Sequence, residues 1–355
     1  MKKFLYYTFV FFFLIVALML VLSYISVNIS PGKIPLLAFL GLFFPFIFAI
    51  NILFLIFWAI RRNKWFFLSI ALIIAGFYRI HDFYAFSHKE VFSAEVNPLK
   101  VMSYNVRLFD LYNWSKDENT GNNILQIIQK ENPDIICLQE FYSDEKLNYT
   151  QRIIDIQKTK DYLISDKKQT GYSGVAIFSK YPIISRGYID VHTANQKCIF
   201  ADIVKDRDTI RVYSIHLASV HLSNDDYQIL KNFDLKEEED MINVGGIGQK
   251  FMHAYEMRSL EVETIAPHIR KSPYRTIVCG DFNDTPVSYS YRQIKGDMKD
   301  AFIEQGSGIG NTYNYGLPLF RIDYILHSPQ IQTKSFTCSD QFWSDHHAVT
   351  AIMEL

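Results

Sequence analysis

The stretch TIVCGDFNDTP, residues 276–286, ends a hydrophobic strand on a group of polar residues. Thr276–Cys279 forms the apolar run, which stops at Gly280 and is followed by Asp281 and Asn283. Residues i and i+2 of an extended chain point to the same side, so these two polar side chains face one direction. Because Gly, Asp and Asn are also turn residues, the stretch alone fits either a surface turn or a functional strand end.

Other hydrophobic runs break in the same way. The runs VMSYNV, IICLQE, VYSIHL, RIDYIL and WSDHHAV present Asn105, Glu140, His216, Asp323, and the pair Asp345 and His346. Each break alone fits a cap, a satisfied core histidine or a surface residue. Active sites in α/β folds gather at one end of the strands, so the recurrence of these breaks predicts a single site.

The body of the chain, from residue 97 onward, alternates short strands with amphipathic helices. NNILQIIQKEN and YEMRSLEVETIAPHIRK have helical periodicity, and DIICLQE, GVAIFSK, CIFADIV and TIRVYSIHL have strand character. Two runs of strands favour two packed mixed β-sheets flanked by helices, a four-layer α/β sandwich over residues 97–355. Cys137 and Cys279 read as small buried hydrophobes, and the four cysteines fit neither a zinc site nor a disulfide framework.

Charge is divided unevenly along the chain. Residues 1–86 hold seven Lys/Arg and one Asp, whereas the remainder holds 29 Lys/Arg and 36 Asp/Glu. A mildly acidic body is no basic platform for long nucleic acid, which disfavours a tight DNA binder. A nuclease that uses bound cations stays compatible with this charge.

The N-terminal segment is dominated by apolar runs near residues 4–27, 34–60 and 65–86, the last interrupted by Arg79. A bilayer core of ~30 Å needs about 20 apolar residues in a helix. The first run is too long for a cleaved signal peptide, and more apolar runs follow it. We therefore predict a membrane anchor over residues 1–90 with about three transmembrane helices.

Positive charge predicts the orientation of these spans, because cytoplasmic loops are enriched in Lys and Arg. Three crossings place most of the basic residues on the cytoplasmic side, namely Lys2, Lys3, Arg61, Arg62 and Lys64. The prediction is a multi-pass membrane protein with an extracytoplasmic body. With only two crossings, the body would be cytoplasmic.

The strand-end residues form a coherent chemical set. Carboxylates and an amide oxygen suit a hard cation such as Mg²⁺, with Mn²⁺ as an alternative. Histidine and asparagine side chains donate hydrogen bonds to phosphate oxygens, and an Asp beside a His orients the ring and favours its protonated form. Serine and cysteine nucleophiles are absent from these breaks. The set therefore indicates water attacking a phosphorus centre with one or two metal ions.

The ordered motifs SYNVR, CLQE, SIHL, GDFND, RIDYIL and SDHHAV resemble the endonuclease/exonuclease/phosphatase superfamily over about residues 98–355. This superfamily includes pancreatic-type DNases, abasic-site endonucleases, inositol polyphosphate 5-phosphatases and neutral sphingomyelinases. Abasic-site endonucleases usually carry a tyrosine where this chain has His216. The resemblance therefore favours the DNase, sphingomyelinase and phosphatase branches.

The resemblance implies a metal site and a general base. Glu140 would be the main metal ligand, with Asn105 and Asp345 supporting it. Asp281 would position and deprotonate the attacking water.

The resemblance also implies residues that bind phosphate. Asn283 and His216 would hold the scissile phosphate. His346 would stabilise the developing charge, and Asp323 would orient His346.

Three further features are left open. His347 reads as an exposed strand residue rather than a member of the site. Arg321 is expected either to meet phosphate or to lie on the surface. Residues 220–250 are acidic and end in Gly245, Gly246 and Gly248, which fits a solvated helical insertion or a flap hinged at the glycines.

The sequence as a whole predicts a membrane-anchored, Mg²⁺-dependent phosphoesterase that hydrolyses phosphodiester or phosphomonoester bonds by metal-assisted attack of water. Its expected partners are the lipid bilayer and a phosphodiester substrate, either phospholipid or nucleic acid, and no obligate protein partner is evident. The alternatives are an extracytoplasmic endonuclease or exonuclease and a non-catalytic membrane scaffold. The scaffold would be expected to lack a metal-binding or water-positioning residue, and this chain has both.

Overall fold

The computed structural model describes residues 2–86, 97–159, 161–168, 171–191, 198–232, 238–314 and 320–355. The chain divides into two compact units. The first contains residues 1–83, 220–259 and 284–292, and the second contains residues 84–219, 260–283 and 293–355. The assignment of residues 1–90 to a membrane anchor and of residues 97–355 to a catalytic domain stays a prediction.

The first unit begins with five helices. They are α1 (Lys2–Ser26), α2 (Leu36–Leu42), α3 (Phe44–Ile60), α4 (Trp65–Ala75) and α5 (Phe77–Phe83). Within the described residues, α1 is long and apolar enough to cross a membrane. The number of candidate membrane spans rises to three if each of two bent helix pairs forms one span. The pair α2 and α3 bends by 65°, and the pair α4 and α5 bends by 49°.

A proline and a glycine lie at the two bends. Pro45 lies in the first turn of α3 and cannot continue a helix from α2, because its ring would clash with the carbonyl one turn earlier. Gly76 separates α4 from α5, and a side chain there would overlap the ring of Tyr24. Asn51 is buried and donates hydrogen bonds to the carbonyls of Val16 (3.3 Å) and Ile47 (2.9 Å). The first of these bonds joins α3 to α1, as expected of a polar residue between helices.

Most of the described part of the acidic insertion is helical. It contains α8 (Asn224–Asn232) and the first part of α9 (Glu238–Arg270). Gly245, Gly246 and Gly248 lie inside α9, so the structure does not support a hinge at these glycines. Within the first unit, Phe39 packs against Phe251 and Tyr255 of α9, with ring centroids 5.9 and 5.5 Å apart.

The second unit contains two six-stranded mixed sheets. The first sheet has the order β11 (Gln332–Cys338), β12 (Val349–Glu354), β1 (Leu99–Asn105), β2 (Ile135–Asp144), β4 (Gly171–Ser179) and β3 (Asp161–Lys168). The second has the order β5 (Ile183–Tyr188), β6 (Cys198–Lys205), β7 (Asp208–His216), β8 (Arg275–Asp281), β10 (Asp323–His327) and β9 (Lys299–Asp300). The α-helices of this unit include α6 (Thr120–Glu131), α7 (Tyr149–Gln157) and α11 (Ala301–Gln305), and α10 (Tyr289–Lys295) begins in the first unit and ends in the second. Two packed sheets flanked by helices confirm the predicted sandwich.

Strand periodicity builds the core between the sheets. Alternate residues such as Val101, Cys137, Val212 and Cys279 face inward and are fully buried, and the four cysteines are free. On the other face of the first sheet, α6 packs its isoleucines against the strands. Helix α6 ends at the left-handed residue Asn132, as its Asn-Pro sequence predicts.

Candidate active site

The predicted polar residues meet at one edge of the sandwich. Strands β1 and β2 run parallel in one sheet, and β7 and β8 run parallel in the other, so their carboxyl ends lie on the same side. Strand β10 is antiparallel to β8, with Asp323 opposite Asp281, and β12 is antiparallel to β1. The residues that begin β10 and precede β12 therefore reach the same edge.

Asp281 lies at the centre of this group and is almost fully buried. Its Oδ2 accepts a hydrogen bond from Asn105 Nδ2 (3.0 Å) and lies 3.7 Å from His216 Nε2 and 3.6 Å from His346 Nε2. Its Oδ1 accepts the backbone N–H of Asn283 (2.8 Å). Burial raises the pKa of Asp281, and the charge of Asp323 adds to this, while the two histidines and Asn105 oppose it. The result is a fixed carboxylate with an increased affinity for a proton.

Glu140 reaches the site through an irregularity in β2. Its φ is +48°, and the pairing of β2 with β4 shifts register between Leu138 and Phe141. Glu140 Oε1 accepts a bond from Asn105 Nδ2 (3.3 Å) and lies 3.7 Å from His216 Nε2. Burial raises the pKa of Glu140, and the neighbouring Asp345 raises it further. A cation beside these two carboxylates would relieve that repulsion.

His346 and Asp323 form a buried pair. His346 Nδ1 lies 2.9 Å from Asp323 Oδ2, and the backbone N–H of Asp323 donates to Thr312 Oγ1 (3.1 Å). Burial alone would lower the pKa of His346, but the carboxylates of Asp323 and Asp281 outweigh it and hold that pKa well above its usual value. The two carboxylates therefore favour the protonated, positively charged form of the imidazole.

Arg107 and Ser344, which the sequence analysis did not single out, connect Asp345 to the group. Arg107 Nε lies 3.4 Å from Asp345 Oδ2. Ser344 Oγ donates to the carbonyl of Asn105 (2.8 Å) and lies 3.2 Å from Asp345 Oδ1. Arg107 is the last residue of the SYNVR motif and Ser344 is the first residue of SDHHAV. Their places in these motifs are the sequence signal that points to them.

Asn283 lies at the rim. Its backbone is left-handed, with φ +51°, and its side-chain Nδ2 donates to the carbonyl of Leu217 (3.1 Å). The extended geometry expected from the sequence does not continue past Asp281. A turn follows Asp281 instead, and it is the backbone N–H of Asn283 that bonds the Asp281 carboxylate.

Two expectations about neighbouring residues are wrong. Arg321 neither meets phosphate nor lies on the surface, since it is 1% exposed and its Nη1 bonds Asp300 Oδ2 at 2.6 Å. It is instead a core cation that lies over the rings of Phe302 and Tyr324. His347 is buried rather than exposed, and its Nδ1 lies 2.6 Å from the carbonyl of Ser339.

The donor set fits a hard divalent cation. Glu140 and Asp345 are carboxylates close enough for one to raise the pKa of the other. Asn105 turns its Nδ2 toward Glu140, while its Oδ1 accepts the Arg107 backbone N–H (3.0 Å). In this orientation Asn105 supports Glu140 by a hydrogen bond, and direct ligation requires its amide to rotate. Ligand-type atoms of Asp281, Asp323 and His346 also lie within 4.8 Å of one another, and His346 and Asp323 share a hydrogen bond.

Comparison with solved structures supports the same fold. The structure resembles an endonuclease/exonuclease/phosphatase from Bacteroides vulgatus, with a TM-score of 0.53 and 17% identity over 73% of this chain and 99% of that chain. Humanized TDP2 from D. rerio gives a TM-score of 0.52 and 15% identity, with coverage of 73% and 99%. A protein of the same description from Beutenbergia cavernae gives a TM-score of 0.51 and 15% identity, with coverage of 73% and 72%. At these identities the likeness establishes the fold.

Comparison with family models covers both parts of the chain. Residues 3–83 match a domain of unknown function (DUF8431), and no curated protein matches the chain. Residues 102–346, which include every strand-end residue of the site, match the Endonuclease/Exonuclease/phosphatase family. The chain therefore belongs to the endonuclease/exonuclease/phosphatase family and is a metal-dependent phosphoric ester hydrolase.

Proposed function

We propose that this protein is a membrane-anchored, Mg²⁺-dependent phosphodiesterase whose substrate is a phospholipid or another phosphodiester at the membrane. The observation that carries the proposal is the presence, in one chain, of this polar cluster and of a helix long and apolar enough to cross a bilayer. A tethered hydrolase meets membrane substrates at a high effective concentration. The acidic body of the chain also disfavours a long polyanionic substrate.

Glu140 and Asp345 would hold the cation, with Asn105 orienting Glu140. When bound there, a divalent cation supplies Lewis-acid stabilisation of a phosphate oxygen. Arg107 partly neutralises Asp345, which makes Glu140 the stronger anchor for the cation. This division of roles agrees with Glu140 as the main ligand.

Asp281 would accept the proton of the attacking water. Its raised pKa suits a general base, because proton transfer is most efficient when the pKa of the base approaches the working pH. Hydrogen bonds from Asn105 and from the Asn283 backbone fix the carboxylate, so one oxygen faces the two histidines. Proton acceptance and phosphate binding therefore take place side by side.

His346 would donate a hydrogen bond to the phosphate as negative charge develops. Its pairing with Asp323 leaves Nε2 directed toward Asp281 and keeps the ring charged. His216 reaches the same carboxylate from β7, and the Asn283 side chain lies at the rim. These three side chains would hold the scissile phosphate between the base and the cation.

The second candidate is an extracytoplasmic endonuclease or exonuclease. The same polar cluster would serve phosphodiesters of nucleic acid, and the comparison structures do not separate the two substrates. A non-catalytic scaffold is disfavoured, because the chain keeps the carboxylates and histidines that the proposed reaction would need.

The test is an activity screen of the full chain in detergent. Bis-p-nitrophenyl phosphate, sphingomyelin, phosphoinositides and plasmid DNA would each be offered with Mg²⁺ and with excess EDTA. We expect Mg²⁺-dependent hydrolysis of a phospholipid, absent from a parallel preparation of Asp281→Asn. Preferential hydrolysis of DNA would replace the first candidate by the second, and full activity in EDTA would exclude both.

A further inference from the structure

The loop that follows β1 exposes two aromatic rings. Tyr112 is 67% exposed and Trp114 is 43% exposed, with ring centroids 5.1 Å apart and planes inclined at 62°. The third aromatic residue of this loop, Phe109, is buried and stacks on Tyr149 at 4.0 Å. The loop therefore uses one ring for packing and presents two adjacent rings to solvent.

Arg107 connects these rings to the candidate active site. Its guanidinium carbon lies 4.7 Å from the centre of the Trp114 ring, and its Nε lies 3.4 Å from Asp345 Oδ2. A single side chain thus spans the gap between Trp114 and a candidate metal ligand. The exposed rings lie beside the place where the scissile phosphate would bind.

The loop is held in a costly conformation. The four residues Arg107–Asp110 have φ values between +45° and +60°, and none is glycine. The Asp110 carboxylate accepts the backbone N–H groups of Trp114 (2.8 Å) and Ser115 (3.3 Å). Left-handed residues of this kind persist where the surroundings fix them, and they concentrate at functional sites. Trp114 is therefore held in place rather than swinging freely at the surface.

We propose that Tyr112 and Trp114 form a subsite that binds a hydroxylated ring in the headgroup of the phospholipid substrate. This inference rests on the proposed function. Exposed Tyr and Trp rings stack against flat faces, whereas the Arg107 guanidinium offers hydrogen bonds to hydroxyl oxygens and repels a cationic headgroup. The arrangement therefore favours a ring alcohol over a quaternary ammonium such as choline.

The test compares two phospholipids in mixed micelles, using the full chain. Phosphatidylinositol carries a ring headgroup, and phosphatidylcholine carries an acyclic cation. We expect the wild type to prefer phosphatidylinositol. Trp114→Ala should lower kcat/KM for phosphatidylinositol by about tenfold, mainly through KM, as expected from losing a stacking contact. It should leave kcat/KM for phosphatidylcholine within twofold, and Trp114→Phe should restore most of the loss.

The matched control is Tyr188→Ala, which removes a 59% exposed ring from the edge strand β5 and should change neither substrate. A wild-type preference for phosphatidylcholine would overturn the subsite, as would an equal loss on both lipids in Trp114→Ala. Either result leaves the proposed phospholipid hydrolysis standing. Failure of the wild type to hydrolyse any phospholipid, while it still cleaves bis-p-nitrophenyl phosphate, would overturn the proposed function itself.

Discussion

At the scale of single residues, Asp281 illustrates how burial and charge are set against each other. Burial and Asp323 favour its protonated form, while His346, His216 and Asn105 favour the carboxylate. The site keeps a buried acid ionisable only because positive and hydrogen-bonding groups surround it. The contacts of Asp281 therefore serve both its position and its proton affinity.

Replacing Asp281 by Asn keeps the shape of the side chain but removes the base. We expect turnover to fall by at least ~100-fold with the fold retained. The measurement is kcat on the best substrate, alongside circular dichroism. Asp155→Asn, on the exposed face of α7, is the matched control. Turnover within threefold of wild type would show that Asp281 is not the base.

Glu140 is predicted to set the affinity for metal. Glu140→Gln removes the charge that attracts a hard cation but keeps the acceptor oxygen for Asn105. The Mg²⁺ concentration for half-maximal activity should rise by at least about tenfold. Glu145→Gln changes an exposed glutamate in the turn that follows β2 and should leave the Mg²⁺ response unaltered. An unchanged Mg²⁺ response in Glu140→Gln would remove Glu140 from the ligand set.

At the scale of elements, one loop connects the residues that follow α5 to the candidate catalytic residues. Ala85 and Gly308 exchange two backbone hydrogen bonds, of 2.8 and 2.9 Å. The same loop continues to Thr312, which accepts the backbone N–H groups of Asp323 and His347. The segment that leaves α5 thus helps to hold the loop on which Asp323 depends.

Ala85→Pro tests this connection. Proline removes the N–H that donates to Gly308, and Ala85→Gly keeps it. We expect the proline variant to lose kcat at least about fivefold, with little change in KM, since the loop that positions Asp323 and His346 loosens. The measurement is steady-state kinetics of the full chain. Equal kcat in the two variants, both of them folded, would dissociate this bridge from catalysis.

Glu304 of α11 links stability to pH. Burial alone would raise the pKa of Glu304, but hydrogen bonds from His327 and Lys299 hold it at about 2. A depressed pKa in the folded state stabilises the protein above the usual glutamate pKa, and this contribution disappears as pH falls toward 2. Glu304→Gln should lower the unfolding temperature at pH 7 and have a smaller effect at pH 3. A difference between the two proteins that does not change with pH would exclude this linkage.

At the scale of the whole molecule, membrane topology decides which substrates the catalytic unit can reach. Helix α1 is long enough to cross a bilayer, and the two bent pairs have the composition of spans but not their straightness. The basic residues Lys2, Lys3 and Arg61–Lys64 all favour the cytoplasm. Leaving Trp65–Tyr78 in water would expose about a dozen apolar side chains, each worth on the order of 1.5–3 kcal/mol when buried. Placing one charge poorly in the bilayer costs only ~2.5–3.5 kcal/mol.

We therefore predict three spans and an extracytoplasmic catalytic unit. Alkaline phosphatase fused after Leu355 should be active in cells, because this reporter folds only after export. A fluorescent cytoplasmic reporter at the same residue is the reciprocal control. An inactive phosphatase fusion paired with a fluorescent one would place the catalytic unit in the cytoplasm.

Local pattern was sufficient to predict much of this protein. Alternating apolar residues identified the strands, and the polar residues at their ends, such as Asn105, Asp281 and Asp323, identified the edge where the site lies. Helix α6 and its end at Asn132 also followed from spacing and from the Asn-Pro pair. These features depend on neighbours within a few residues, so the sequence by itself determined them.

Tertiary structure decided the features that depend on distant parts of the chain. Arg321 is buried because Asp300 and two aromatic rings surround it, and no local pattern announces those partners. Glu140 faces His216 only because β2 is irregular at that point and the two sheets pack together. Arg107 contacts both the Trp114 ring and Asp345, and Tyr112 lies against Trp114. The sequence specifies which side chains lie at the ends of its strands. The packing of one sheet on the other decides which of these side chains meet, because residues far apart in the chain make those contacts.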